Sequence, residues 1–145
     1  MLPPPQKSTG FTLLEVLISV LILAFGLLGL AGLQGAALKN NHSSYLRSLA
    51  TEYAYDLSDR IRANASIDYS AQAAAALNCT VNCTPTQMAQ FDLNEWQTKV
   101  LANLPTAGTN PTLARNAAGI YTLTISWDDN RTGSANTTFS TSFKP

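Results

Sequence analysis

Gly10-Phe11-Thr12-Leu13-Leu14-Glu15-Val16 opens the stretch that decides the fold, and from Val16 the chain runs to Leu38 without a charged residue. That run is about 23 residues long, and at ~1.5 Å of rise per residue a helix of this length crosses the ~30 Å hydrocarbon core of a bilayer. Glu15 stands at its start. A carboxylate inside a membrane helix costs roughly 2.5–3.5 kcal/mol on insertion scales, so it calls for a partner and a task. Ahead of Gly10 lie nine short, polar, Pro-rich residues in which Lys7 is the only charged side chain. Cationic flanks stay in the cytoplasm, so the C-terminal part is expected outside it. The ordinary alternative is a secretory signal cleaved near Gly35-Ala36-Ala37. Its apolar region would exceed the usual ~7–15 residues, and it would gain nothing from Glu15.

The order Gly10, Phe11, Thr12, Leu13, Leu14, Glu15 ahead of a membrane-length run resembles the processing motif of type IV prepilins and the related pseudopilins. The resemblance implies a leader peptide of residues 1–10, cut after Gly10 by a prepilin peptidase that then N-methylates the new amine of Phe11. It also places Glu15 four residues beyond that amine. A carboxylate buried in an apolar helix bundle is tolerable when a cation pairs with it. The Phe11 amine of a neighbouring subunit is the natural candidate, and the pair would draw each incoming subunit into axial register.

No proline occurs between Phe11 and Thr84, so one very long helix is permitted. Its first part, residues 11–38, is expected to be a transmembrane or filament-core helix, and Phe11 to Leu33 is apolar all round, as such a helix should be. Gly26, Gly29, Gly32 and Gly35 recur every three residues in it. They suit close helix–helix packing in a membrane, or a segment that loosens on passing from bilayer to filament. Beyond Lys39, Leu46, Leu49, Tyr53, Leu57 and Ile61 recur at three- and four-residue spacing, an amphipathic half over residues 39–64 that lays one face on a globular head. Asp56 and Arg60 form a favourable i,i+4 pair of small weight there.

The head is expected over residues 65–145. Ala71 to Leu77 reads as a helical turn or a loop. Cys79 and Cys83, in a compartment outside the cytoplasm, read as a disulfide closing a tight local loop; a structural zinc site would need four ligands, and no second Cys or His cluster exists. Thr84, Pro85 and Gln87 carry a helix start, and Asp92 with Glu95 reads as a second one. Leu93, Trp96, Val100, Leu101 and Leu104 then make a helical face that stops at Pro105. Thr106 to Ala118 holds turn residues and reads as a loop or a poor edge strand. Tyr121 to Trp127 alternates strictly and is a strand; Ala135 to Phe143 alternates more weakly. Between them Asp128-Asp-Asn-Arg-Thr-Gly133 is turn chemistry, in preference to a calcium site. The fold class is therefore α+β: a long N-terminal helix packed on a small antiparallel β-sheet head, the lollipop arrangement of pilins.

Residues 26–34, Gly-Leu-Leu-Gly-Leu-Ala-Gly-Leu-Gln, add a second resemblance. Together with the Asp92-Leu93…Trp96 helix and the Tyr121-Thr-Leu-Thr-Ile-Ser-Trp127 strand, they are similar to the minor pilin family called type IV pilus modification protein PilV. That resemblance implies a low-abundance subunit of a type IV pilus. Its expected partners are the prepilin peptidase, other minor pilins, the major pilin, the inner-membrane assembly platform and the lipid bilayer. Its expected location is the inner membrane, single-pass with a periplasmic head, and then the extracellular fibre. A type II secretion pseudopilin or a pilus-associated adhesin are the alternatives. Charged residues are 12% of the chain and net charge is zero, which excludes a basic nucleic-acid footprint. The single histidine, His42, has no nucleophile pattern around it and no Gly-rich phosphate loop is present, so neither an enzyme nor a cofactor or metal is expected.

Overall fold

An unbroken helix of 51 residues, α1 (Leu13–Ala63), follows from the absence of proline and occupies the first third of the chain. The computed structural model describes residues 10–79, 81–130 and 132–145; the expected leader up to Thr9, Lys7 included, lies outside the described residues. The chain forms two compact units, one ending at Asn41 and one spanning His42–Pro145. In the first, α1 carries a window long and apolar enough to cross a membrane, none of it buried within the chain. Solvent-exposed leucine and isoleucine on every side of a helix are stable only where the surroundings are themselves apolar.

In the second unit α1 behaves as an amphipathic helix. Leu46, Ala50, Ala54, Leu57 and Ile61 are buried at i, i+4, i+8, i+11 and i+15, with Leu49 and Tyr53 partly buried beside them. Two of the five are alanines, which let the facing layer approach the backbone closely. Arg60 and Arg62 sit in the last turn, where cations oppose the helix dipole favourably. A single 3-10 turn follows at Tyr69–Ala71, and the rest of the 71–77 stretch has no regular structure.

The second helix, α2 (Pro85–Asn103), is continuous. Its start is a full capping box: Thr84 Oγ1 accepts from Gln87 N at 3.2 Å and Gln87 Oε1 accepts from Thr84 N at 2.9 Å. The second start expected at Asp92 is not there. Asp92 is a buried residue of the helix interior, held by partners from other elements, and its capping chemistry is not called on. Ala89, Leu93, Trp96 and Val100 form the buried face and Leu104 closes it, whereas Leu101 points to solvent at 42% exposure and leaves that face.

Three antiparallel strands complete the head in the order β1-β2-β3: β1 (Thr112–Arg115), β2 (Tyr121–Trp127) and β3 (Thr137–Phe143). β1 is the poor edge strand of the 106–118 stretch, four residues long and exposed over most of its length. Tyr121, Leu123, Ile125 and Trp127 of β2 are fully buried and alternate with Thr122, Thr124 and Ser126. On that outer face the hydroxyls pair with Ser142, Ser140 and Thr138 of β3 at 2.9, 3.5 and 3.1 Å. The inner face, the α1 stripe and the α2 stripe share one hydrophobic core. The three-stranded sheet is stable because two helical faces back it; strands this few are marginal alone.

Candidate functional site

Two places concentrate chemistry: the start of α1, and the polar joints that fasten α1 to the head.

Gly10 and Phe11 precede α1 and are exposed, Phe11 at 83%. Among the described residues a Cβ at Gly10 would meet nothing within 4 Å, and its backbone is outside the left-handed region, so no described neighbour requires glycine here. Thr12 caps the helix: Thr12 Oγ1 accepts from Glu15 N at 3.3 Å. Glu15 is thus the third residue of the first turn, with its carboxylate near the positive end of the helix dipole. The Thr-x-x-Glu spacing of Thr12 and Glu15 is the sequence signal for this cap. One device therefore both starts α1 and lowers the cost of a carboxylate at that depth. Glu15 cannot be neutralised from the same helix, where the next cation is Lys39.

The glycines at 26, 29, 32 and 35 lie within the unbroken helix, and at each a Cβ would meet nothing within 4 Å. A step of three residues turns about 300°, so Gly26 and Gly35 fall on opposite sides of α1. The glycines wind round the helix and do not line one packing face.

In the head, Arg60 binds three carboxylates at once. Its Nη1 donates to Asp92 Oδ1 at 2.9 Å and Glu95 Oε2 at 3.0 Å, and its Nε donates to Asp56 Oδ1 at 3.2 Å. Burial lowers the Arg60 pKa, but its hydrogen bonds to Asp92, Asp56 and Glu95 outweigh it and the net shift is upward. Asp92 is closed on its other side by Tyr69 Oη, which donates to Oδ2 at 2.8 Å. Burial first, and the Asp92 carboxylate with it, pushes the Tyr69 hydroxyl up to about 12. Trp96 Nε1 donates to Tyr53 O at 3.0 Å, a second tie between α2 and α1. Asp68 is the third joint. It accepts from the Ser70 hydroxyl at 2.7 Å, the Ser70 amide at 3.0 Å, Tyr121 Oη at 3.1 Å and Arg115 Nη1 at 3.0 Å. The Ser70 hydroxyl above all, then Arg115, the Ser70 amide and Tyr121, hold its carboxyl at about 2 against the desolvation that would raise it.

Cys79 and Cys83 form a disulfide with a Cα–Cα distance of 5.4 Å, directly before the Thr84 cap. Asp128 closes the β2–β3 turn. It accepts from Asn130 N, Thr132 Oγ1, Asn136 Nδ2 and Gly133 N, with Gly133 at φ +86°. Burial would raise its pKa, but backbone amides of Thr132, Gly133 and Asn130 prevail and lower it. Both oxygens are thus engaged within the turn, and among the described residues no three His, Cys, Asp or Glu side chains come together. Asp128 is turn chemistry, whereas the Asp129 side chain leaves the turn, its Oδ2 accepting from Ser43 Oγ of α1 at 2.8 Å.

No curated protein and no solved structure gives a significant match to the chain. Residues 5–31, the segment that holds Gly10, Phe11, Glu15 and the first two glycines, match the family model described as the prokaryotic N-terminal methylation motif, so the chain carries the N-terminal signature of type IV prepilin-like proteins.

Proposed function

We propose that the chain is a minor type IV pilin. Prepilin peptidase cuts after Gly10 and methylates the amine of Phe11. The segment of α1 up to the late thirties holds the subunit in the inner membrane with its head in the periplasm, and the assembly platform then moves it into a fibre beside the major pilin and other minor pilins. Glu15 meets the Phe11 amine of a neighbour, and the glycines of α1 give the helix slack during the transfer.

One observation carries this reading. The methylation motif at residues 5–31 leads into a helix that is apolar up to Leu38, unburied up to Asn41 and buried on one face from Leu46 onward. An apolar segment with no cover of its own must be solvated by lipid or by other subunits. Gly10 supports the reading as well: among the described residues a Cβ there would meet nothing within 4 Å, and recognition by a partner accounts for the glycine.

Mass spectrometry of sheared filaments is the test. The expected result is a peptide that begins at N-methylated Phe11; a chain beginning at Met1 or near Leu38 would overturn the reading. Deleting the gene then separates pilus from secretion: loss of pili with secretion intact fits the minor pilin, and loss of secretion with pili intact makes the chain a pseudopilin.

A further inference from the structure

The two edges of the sheet are built differently. β1 is defended: it is four residues long, Pro111 stands just before it, and the Tyr69–Ala71 turn packs against it. Arg115 ends it with a charge, its guanidinium bonded to Asp68 at 3.0 Å. Natural sheets blunt their edges with such devices, because unpaired backbone groups are a template for another strand. β3 has none of them. It is seven residues long, no charged residue or proline occurs from Thr132 to Phe143, and among the described elements only β2 runs along it. None of its backbone groups bonds to a turn or loop among the described residues. In an antiparallel pair every second residue turns its N–H and C=O away from the partner, so β3 offers a row of unpaired donors and acceptors.

The core is also unfinished at this strand. Tyr121, Leu123, Ile125 and Trp127 of β2 are at most 1% exposed, whereas Phe139 and Phe143, on the inner face of β3, are only half-buried. A strand added to β3 would bring inward side chains over both rings. Charge distinguishes the two ends of the edge. Lys144 follows β3, is exposed, and has no ion pair among the described residues. At the other end the 128–133 turn holds two acids and one base.

A second copy fits this edge poorly. Two β3 strands paired antiparallel are related by a two-fold axis normal to the sheet. The head's share of α1 lies on the inner face of that sheet, so this axis points the two helices in opposite directions. Subunits anchored in one membrane do not meet in that way.

We propose that β3 takes up an extended segment of a different protein chain as a fourth strand, antiparallel to it. Its alternate apolar residues cover Phe139 and Phe143, an acid lies beside Lys144, and a base lies beside the 128–133 turn. The choice of a foreign chain over a second copy rests on the membrane reading of α1; the open edge does not.

The test is amide hydrogen exchange of the full chain in detergent, read by NMR. The probe is a synthetic strand of about eight residues, a usual strand length, in which valine and threonine alternate between an N-terminal glutamate and a C-terminal lysine. At about 1 mM of this peptide, every second β3 amide is expected to exchange at least about five-fold more slowly, with β1 unchanged. The same peptide N-methylated throughout has no donors and is expected to have no effect. Exchanging its glutamate and lysine is expected to weaken binding at least about three-fold, and Lys144→Glu to abolish that preference. No slowing, or slowing along β1 as much as along β3, overturns the open edge. Equal binding of the two peptides overturns the charge pattern of the partner. Slowing of β3 amides without peptide, as the chain is concentrated, puts a second copy on the edge and overturns the choice of a foreign chain. None of these readouts depends on cleavage after Gly10, so the pilin reading stands or falls separately.

Discussion

Arg60 of α1 holds Asp92 of α2 at 2.9 Å, and Tyr69 closes on the other oxygen of the same carboxylate at 2.8 Å. The end of α1, the 3-10 turn and α2 therefore meet on one side chain, which is 9% exposed. Removing one member of such a group leaves a buried partner without compensation.

Asp92→Ala should destabilise the head by about 2–4 kcal/mol, read as a fall in the urea midpoint of the full chain in detergent. Asp92→Asn, which keeps an acceptor for Tyr69, should cost less than half as much. Equal costs would show that the carboxylate charge is irrelevant to the joint.

Trp96 contributes apolar bulk and one hydrogen bond to Tyr53 O, and two substitutions separate them. Trp96→Ala should cost about 3–5 kcal/mol as a cavity variant. Trp96→Phe should cost about 1–2 kcal/mol, chiefly the lost indole hydrogen bond and ring volume, because Tyr53 O lies inside α1 and keeps its helical partner. Denaturant unfolding of both variants checks the ratio.

The Asp68 carboxyl is held at about 2 in the folded head against an ordinary value of 3.8. A depressed folded value means the carboxylate form is favoured by folding. Its stabilisation is complete above about pH 4 and is lost as pH falls from there through 2. Asp68 is 36% exposed, so after allowance for solvent screening the effect is on the order of 1 kcal/mol. Asp68→Asn should flatten the acid limb of a stability–pH curve between pH 4 and 2 and leave the neutral region parallel. An unchanged acid limb would refute the assignment.

Gly10 and Glu15 should separate processing from assembly. Gly10→Ala is expected to leave head stability within ~0.5 kcal/mol of the parent while the chain stays uncut on a denaturing gel. Glu15→Leu should be cut and should enter the membrane normally. Its recovery in sheared filaments should fall by at least about tenfold, as expected for an unpaired amine in an apolar bundle.

Much of this architecture is written in local pattern. Strand β2 is bounded by the alternation of Tyr121 to Trp127, and the α1 stripe by the spacing of Leu46, Leu49, Tyr53, Leu57 and Ile61. Thr84 and Gln87 announce the start of α2 because a cap is a three-residue event. What escaped pattern was non-local. Arg60 looks like half of an exposed i,i+4 pair until α2 brings Asp92 and Glu95 to it from 32 and 35 residues away. For the same reason Asp92 imitates a helix start when its partners are out of view. Strand β1 is short and follows Pro111, so its identity comes from its register on β2, where Leu113 faces Leu123. At the N-terminus the order Gly10 to Glu15 reads as a processing motif, and the capping bond of Thr12 hides inside it because the same residues serve both.

The disulfide and the capping box stand next to each other, Cys83 against Thr84, and Asn64 Nδ2 adds a bond to Pro85 O at 2.8 Å. The origin of α2 thus has one fastening that answers to electrons and two that do not. A reductant that opens the ring will free Val81 and Asn82, yet Thr84, Gln87 and Asn64 keep the helix where it is. Redox stress on this protein should therefore be written in the shape of a surface loop and leave its fold untouched.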